Sequence, residues 1–253
     1  MPMLNTREQP VSKRVQVMGV DRTVYGYESD GFFGDIDSHI ANNQGLITEI
    51  CGLPSGSVFV DVGANIGGTT LLAAAAGARI LAIEASPRNA DLFELNMRAN
   101  AVSAQLFRCA AGSAVGEVYF SEVAYGAGNH VEPSGALVVP VRTIDSIVAE
   151  AGIDRLDLLK IDVEGYESEV LRGARETLRT FRPTVVMEFN AYAISMHTNE
   201  SPRLLAEMVL DIAGQFEVDS RGGMKVSDRG SLGTFMYQHM VHGCVNDLIW
   251  RPK

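Results

Sequence analysis

Three groups of residues in this chain have the types and spacing for chemistry. The first is Asp61-Val62-Gly63-Ala64-Asn65-Ile66-Gly67-Gly68, a glycine-rich turn between an apolar run and an alanine-rich one. Glycines at a strand-to-helix turn let backbone approach a ligand closely, and the helix start beyond them offers free N–H groups to an anion. The second is Glu84, at the end of the next apolar run, 23 positions after Asp61. A carboxylate there can accept both hydroxyls of a ribose. The third is acidic: Asp162 and Glu164 follow LDLLKI, and Glu188 sits inside VVMEFN. That last run otherwise reads as a buried strand, so the carboxylate in it needs a partner.

A dinucleotide fingerprint requires G-x-G-x-x-G, whereas the register here is G-x-N-x-x-G. Asn65 stands where the second glycine would admit a pyrophosphate, which disfavours a nicotinamide dinucleotide. A smaller zwitterion suits the turn better. S-adenosylmethionine has a carboxylate for the helix N–H groups, an ammonium that Asp61 could match directly or through water, and a ribose for Glu84. Ala85 and Ser86 would line the same pocket, and Cys109-Ala110-Ala111 leave room for an adenine face. The plainer alternatives are a turn whose glycines serve packing alone and a Glu84 that caps the helix at Pro87, where Ser86 is the better cap.

The acids fit methyl transfer from a sulfonium, an in-line displacement that depends on holding acceptor, methyl carbon and sulfur in line. An alcohol acceptor must also lose its proton, and a positioned base assists. Asp162 suits that work or the orientation of the methionine end, with Glu164 and Glu188 beside it. Paired carboxylates could instead bind Mg²⁺, but D-x-E in a turn is equally a helix N-terminal arrangement, so no metal ligand is assigned. His39 and His197 are alternative bases and candidate acceptor contacts, although a lone histidine is more often a surface or packing residue. His239, His242 and Cys244 have loosely ligand-like spacing with no second cluster, and read as loop residues.

The elements that must position these groups begin at Ser57. Strands are expected at 58–62, 79–85, 104–110, 156–163 and 184–190, with helices at 69–76, 87–99, 143–151, 167–181 and 201–214 between or after them. Shorter strands, 117–121 and 136–141, flank the segment AYGAGNHVEPSG. Strand-helix alternation with continuous apolar strands predicts a doubly wound α/β fold whose mostly parallel sheet is covered on both faces, with ligands outside the carboxyl ends of its strands. QFEVDS and VNDLIWRP close the sheet as an antiparallel C-terminal strand pair. Before the core, runs at 14–20 and 22–27 could pair as a hairpin, and 28–51 follows a helical period. The expected division is therefore 1–55, a hairpin and helical lid, and 56–253, the ligand-binding core.

Composition narrows the partners. The chain has 253 residues, 46% hydrophobic and 21% charged, which suits a globular fold rather than disorder. Its 31 acidic and 21 basic residues leave a net charge of −10 without a basic cluster, which disfavours nucleic acid and anionic membranes. Three scattered cysteines and an opening without an apolar signal core point to a soluble, cytoplasmic protein and a small-molecule partner.

The combination of VFVDVGANIGG, AIEASPRN and LLKIDVEGYESEVLRGA resembles the FkbM family of S-adenosylmethionine-dependent methyltransferases, over about Ser57 to Glu188. The resemblance implies a Rossmann-like core of the class I methyltransferase type and transfer to a hydroxyl of a sugar or natural product, leaving S-adenosylhomocysteine. Carried over by position, Asp61, Gly63, Asn65, Gly67 and Glu84 would hold the cofactor, and Asp162 and Glu164 would sit at the reaction centre. Family members often carry a histidine two positions after the glutamate of the fifth strand. Here that position is Asn190, an acceptor-contact candidate. An oxidoreductase using a nicotinamide cofactor and a non-catalytic S-adenosylmethionine binder are the competing functions.

Overall fold

The computed structural model describes residues 8–219 and 223–251. Residues 1–7 of the expected N-terminal unit, and Ser220 and Pro252 at the ends of the two expected C-terminal strands, lie outside these. A hairpin of β1 (Val11–Val17) and β2 (Val20–Gly26) leads into α1 (Gly31–Asn42) and α2 (Gln44–Cys51). Then come β3 (Val58–Val62), α3 (Gly68–Ala75), β4 (Arg79–Glu84), α4 (Pro87–Ala99) and β5 (Gln105–Arg108). Four short strands, β6 (Ala110–Ala111), β7 (Gly116–Ser121), β8 (His130–Val131) and β9 (Leu137–Arg142), form a sheet of their own. The chain returns through α5 (Ile144–Ala151), β10 (Leu158–Ile161), α6 (Glu167–Arg172), α7 (Arg175–Phe181), β11 (Thr184–Asn190) and α8 (Ala191–His197). It finishes with α9 (Pro202–Ala213), β12 (Phe216–Asp219), β13 (Met224–Val226), α10 (Arg229–Val241) and β14 (Val245–Trp250).

The main sheet runs β13-β12-β14-β11-β10-β3-β4-β5. Strands β3, β4, β5, β10 and β11 are parallel, while β14 lies antiparallel between β11 and β12. Every residue of β3 is buried because both faces are covered, and alternate residues enter different cores. Val58, Val60 and Val62 pack with α5, α9 and α10, whereas Phe59 packs with α1 to α4. Ile36 and Leu46 of the N-terminal helices are each 1% exposed in that second core, a burial worth roughly 1.5–3 kcal/mol apiece. The hairpin joins them there through Val15 and Val24. Among the described residues, no helix is long and apolar enough to cross a membrane.

The structure departs from the periodicity in several places. The helical stretch 28–51 is two helices, broken at Asn43 (φ −83°, ψ 67°), whose side chain accepts from Leu46 N at 3.2 Å and caps α2. The stretch 167–181 also divides, at Gly173, where a Cβ would stand 2.0 Å from the Gly112 carbonyl oxygen. Neither α8 nor α10 was expected. Gly230 and Gly233 lower the helix propensity of α10, and a capping box between Asp228 and Ser231 secures its start. His239 is accordingly a core residue of that helix rather than a loop residue. It lies against Phe189 and Phe235, with Nδ1 2.7 Å from Asn246 Oδ1.

Candidate active site

The carboxyl ends of β3, β4, β10 and β11 open on one cavity of about 230 Å³, roofed by α1 and the segment around Tyr125. Its floor is set by a close approach: a Cβ at Gly63 (φ +78°) would lie 1.8 Å from the Asp162 carbonyl oxygen, so only glycine lets the β3 loop pass the turn after β10. Asn65, also left-handed at φ +52°, donates its N–H to Glu84 Oε2 at 2.8 Å. Ser86 N donates to the other oxygen at 2.8 Å. Glu84 lines the cavity and is 6% exposed. Burial pushes its carboxyl up to about 7, against the pull of those two N–H groups. Among the described residues no side chain caps the start of α3, and Gly68 and Thr69 there face the cavity, so its N–H groups are open to an anion. Ala85 and Ala110 complete this wall.

Three expected cofactor residues stand behind the wall. Asp61 is fully buried beneath the loop, where Thr70 Oγ1 donates to it at 2.8 Å and Lys160 Nζ lies 3.5 Å away. Gly67 holds a left-handed φ of +96° that favours glycine, and it packs against Met97 and Phe93. Ser86 caps α4 by accepting from Asn89 N at 3.0 Å, and its hydroxyl donates to Glu122. Each shapes the cradle from below.

At the far end, carboxylate oxygens of Asp162, Glu164 and Glu188 all lie within 4.8 Å of one another. Asp162 is paired with Lys160 at 3.2 Å. Glu188 Oε2 is inaccessible and has no hydrogen-bond partner among the described residues. Glu164 holds a left-handed φ of +54°, a strained conformation for a non-glycine residue. Burial, then the neighbouring Asp162 charge, pushes Glu164 up to about 8 and Glu188 well above the usual carboxylate range. Beneath the turn, Glu167 accepts from Gly165 N at 3.0 Å and Val163 N at 3.3 Å. Such a trio can share protons with a hydroxyl acceptor or hold an oxygen-liganded cation.

The remaining candidates divide. His39 lines the cavity and forms part of the roof, with Nε2 2.6 Å from Tyr125 Oη. Asp30 accepts from Gly126 N at 2.9 Å, and the amides of Asn65 and Asn89 each donate to Gly126 O at 3.3 Å. His197 is outside the cavity, in a neighbouring cleft, stacked on His130 with ring centroids 3.6 Å apart. Its Nδ1 donates to the Glu164 carbonyl at 2.9 Å, so it reaches the site through backbone. Asn190 caps α8 by accepting from Ala193 N, with its amide 3.5 Å from Glu164 Oε2. Lys160 was overlooked, although a lysine inside LDLLKIDV carries the same signal that singled out Glu188.

The family described as "Methyltransferase FkbM domain" matches residues 61–213, a span containing the glycine turn, Glu84 and all three acids. The chain belongs to the FkbM methyltransferase family. Among similar proteins, the hexuronic acid methyltransferase AglP of Haloferax volcanii is 30% identical over 156 residues, 60% of this chain and 63% of AglP. The 2-O-methyltransferase NoeI of Sinorhizobium fredii is 42% identical over 48 residues, 19% of this chain and 20% of NoeI. The chain thus spans less than two thirds of either relative. The FkbM chain also shares its fold with a putative S-adenosylmethionine-dependent methyltransferase from Streptococcus mutans, with a TM-score of 0.51 at 12% identity, over 98% of this chain and 57% of that one.

Proposed function

We propose that this FkbM protein transfers a methyl group from S-adenosylmethionine to a hydroxyl of a small sugar or natural-product acceptor. The observation that carries the reading is that Glu84, the uncapped start of α3 and the acid trio face a single cavity. The donor set fits the cofactor: a carboxylate for its ribose, N–H groups for its carboxylate, and small side chains at Ala85 and Ala110 for its adenine. S-adenosylmethionine, when bound, supplies an electrophilic methyl group. Asp61 is too deep to meet the ammonium of the methionine end, so that pairing passes to Asp162, which faces the cavity.

Glu164 then serves as the base. A carboxyl with a pKa near the working pH combines a useful ionised fraction with enough basicity to take a hydroxyl proton. Glu188, whose proton burial also retains, donates a hydrogen bond that orients the acceptor. The names of AglP and NoeI, a hexuronic acid methyltransferase and a 2-O-methyltransferase, support a sugar hydroxyl. Three free cysteines support a cytoplasmic site of action, and the net charge of −10 supports a small molecule rather than nucleic acid. Helices α1 and α2 act as the lid over the acceptor end.

Calorimetric titration with S-adenosylhomocysteine, with NAD⁺ as control, tests the reading. Binding of the first alone is expected. Binding of NAD⁺ alone would return the chain to the oxidoreductase reading, and binding of neither would remove the cofactor assignment.

A further inference from the structure

Lys160 sits mid-sheet on β10, 5% exposed, with Asp61 of β3 and Val186 of β11 beside it in register. Its ammonium donates to Gly63 O at 2.8 Å and forms ion pairs with Asp162 Oδ2 at 3.2 Å and Asp61 Oδ1 at 3.5 Å. The three belong to different pieces of the site. Gly63 is in the loop that lines the cofactor end, Asp162 begins the turn at the reaction centre, and Asp61 lies beneath both, held to α3 by Thr70. Among the described residues of the cavity wall, Lys160 carries the only lysine or arginine charge. Burial opposes that charge, and the two carboxylates outweigh the opposition and raise its pKa.

A buried ammonium needs a counter-charge, and Asp61 alone supplies one. The contacts to Gly63 and Asp162 go beyond neutrality. They join the loop that lines the cofactor end to the turn that carries the acids, and so bear on whether methyl donor and acceptor hydroxyl meet in line, where errors are costly to rate. We propose that Lys160 is a positioning residue whose ammonium ties the cofactor-side loop at Gly63 to the reaction-centre carboxylate of Asp162. The role in catalysis rests on the methyl-transfer reading; the tie itself does not. A lysine that only balanced Asp61 would be dispensable once Asp61 was also neutral, and that difference is measurable.

The test uses the full chain as wild type, Lys160→Met, the double variant Asp61→Asn/Lys160→Met, and Asp162→Asn. The single lysine variant strands a buried carboxylate and loses stability. The double variant removes both charges and keeps an acceptor for Thr70, so its melting temperature returns to that of wild type. In that protein, amide hydrogen exchange is expected to quicken at least about tenfold in both 61–68 and 162–166, and S-adenosylhomocysteine to bind at least about tenfold more weakly, the loss of one charge-assisted hydrogen bond. Wild-type exchange and affinity in the double variant would overturn the proposal and leave Lys160 as a charge balance. Should the double variant not fold, Asp162→Asn decides: faster exchange that spreads to 61–68 supports the tie, and exchange confined to 162–166 overturns it. A wild-type protein that binds no S-adenosylhomocysteine would remove the methyl-transfer reading, while the exchange data still judge the tie.

Discussion

Glu84 offers the sharpest quantitative test of the cofactor end. Its oxygens already accept the N–H groups of Asn65 and Ser86, each at 2.8 Å, and burial pushes its carboxyl up to about 7. To accept two ribose hydroxyl protons as well, the group must be ionised. With that pKa it is about nine-tenths ionised at pH 8 and about one-tenth at pH 6. Affinity for S-adenosylhomocysteine therefore falls roughly tenfold over that interval, about 1.4 kcal/mol. Glu84→Gln keeps the size but leaves two backbone donors and the ribose competing for one oxygen. Its expected cost is about 1.5–3 kcal/mol of binding, the range for hydrogen bonds to charged groups. Because the amide does not titrate, the pH dependence also disappears. Calorimetry on both proteins at pH 6, 7 and 8 reads both effects. A flat wild-type profile, or a variant that retains the slope, refutes the assignment of Glu84 to the ribose.

At the reaction end, Glu164→Gln should lower methyl transfer, followed with labelled S-adenosylmethionine, by about 100-fold or more while leaving S-adenosylhomocysteine affinity unchanged. The wild-type rate should rise with pH through about 8; a rate that falls over that range would reject Glu164 as the base. His197→Ala removes the donor that holds the Glu164 carbonyl, and urea titration should show a loss of about 1 kcal/mol together with slower turnover. Chelation by EDTA should leave turnover unchanged, since Lys160 already pairs with Asp162; loss of rate that Mg²⁺ restores would count against this. Stability of the ligand-free protein should fall as pH rises from 7 to 8.5. Glu84, Glu167 and Glu164 have folded pKa values raised to about 7, 7 and 8, so the native state alone still holds protons there and loses its advantage as they leave. The half-buried His197 and the buried His239, both lowered by burial, titrate below that window, and a melting temperature that climbs across it would contradict the burial of the acids.

The parallel core was legible because β3, β4, β10 and β11 are buried on both faces and write themselves as continuous apolar runs. The break at Asn43 was not, because a hydrophobic period passes smoothly through a residue that serves as one helix's end and the next helix's cap. Two glycines hid α10 from propensity, and a capping box with tertiary packing overrides them. Within the site, Glu84 and the acid trio could be placed by strand register alone. Asp61 and Ser86 could not, because whether a polar group at a strand end faces ligand or floor depends on partners such as Thr70 and Glu122 from elsewhere in the chain. Lys160 was open to the argument applied to Glu188, since both are charges set in apolar strands.

Gly126 fastens its stretch of the roof with main-chain groups: its N–H donates to Asp30, the cap of α1, and its C=O accepts from the side-chain amides of Asn65 and Asn89 below. A Cβ at that position would stand 2.4 Å from Asp30 Oδ2, so within the stretch around Tyr125 the attachment rests on this glycine, with the side chains of Asp30, Asn65 and Asn89 as its partners. A cover stretch fastened through the main chain of a single residue can exchange nearly every other residue it shows to the acceptor and still seat in the same place. Related chains could thus diverge in what they methylate by rewriting the stretch around Tyr125, with the cofactor cradle below left intact.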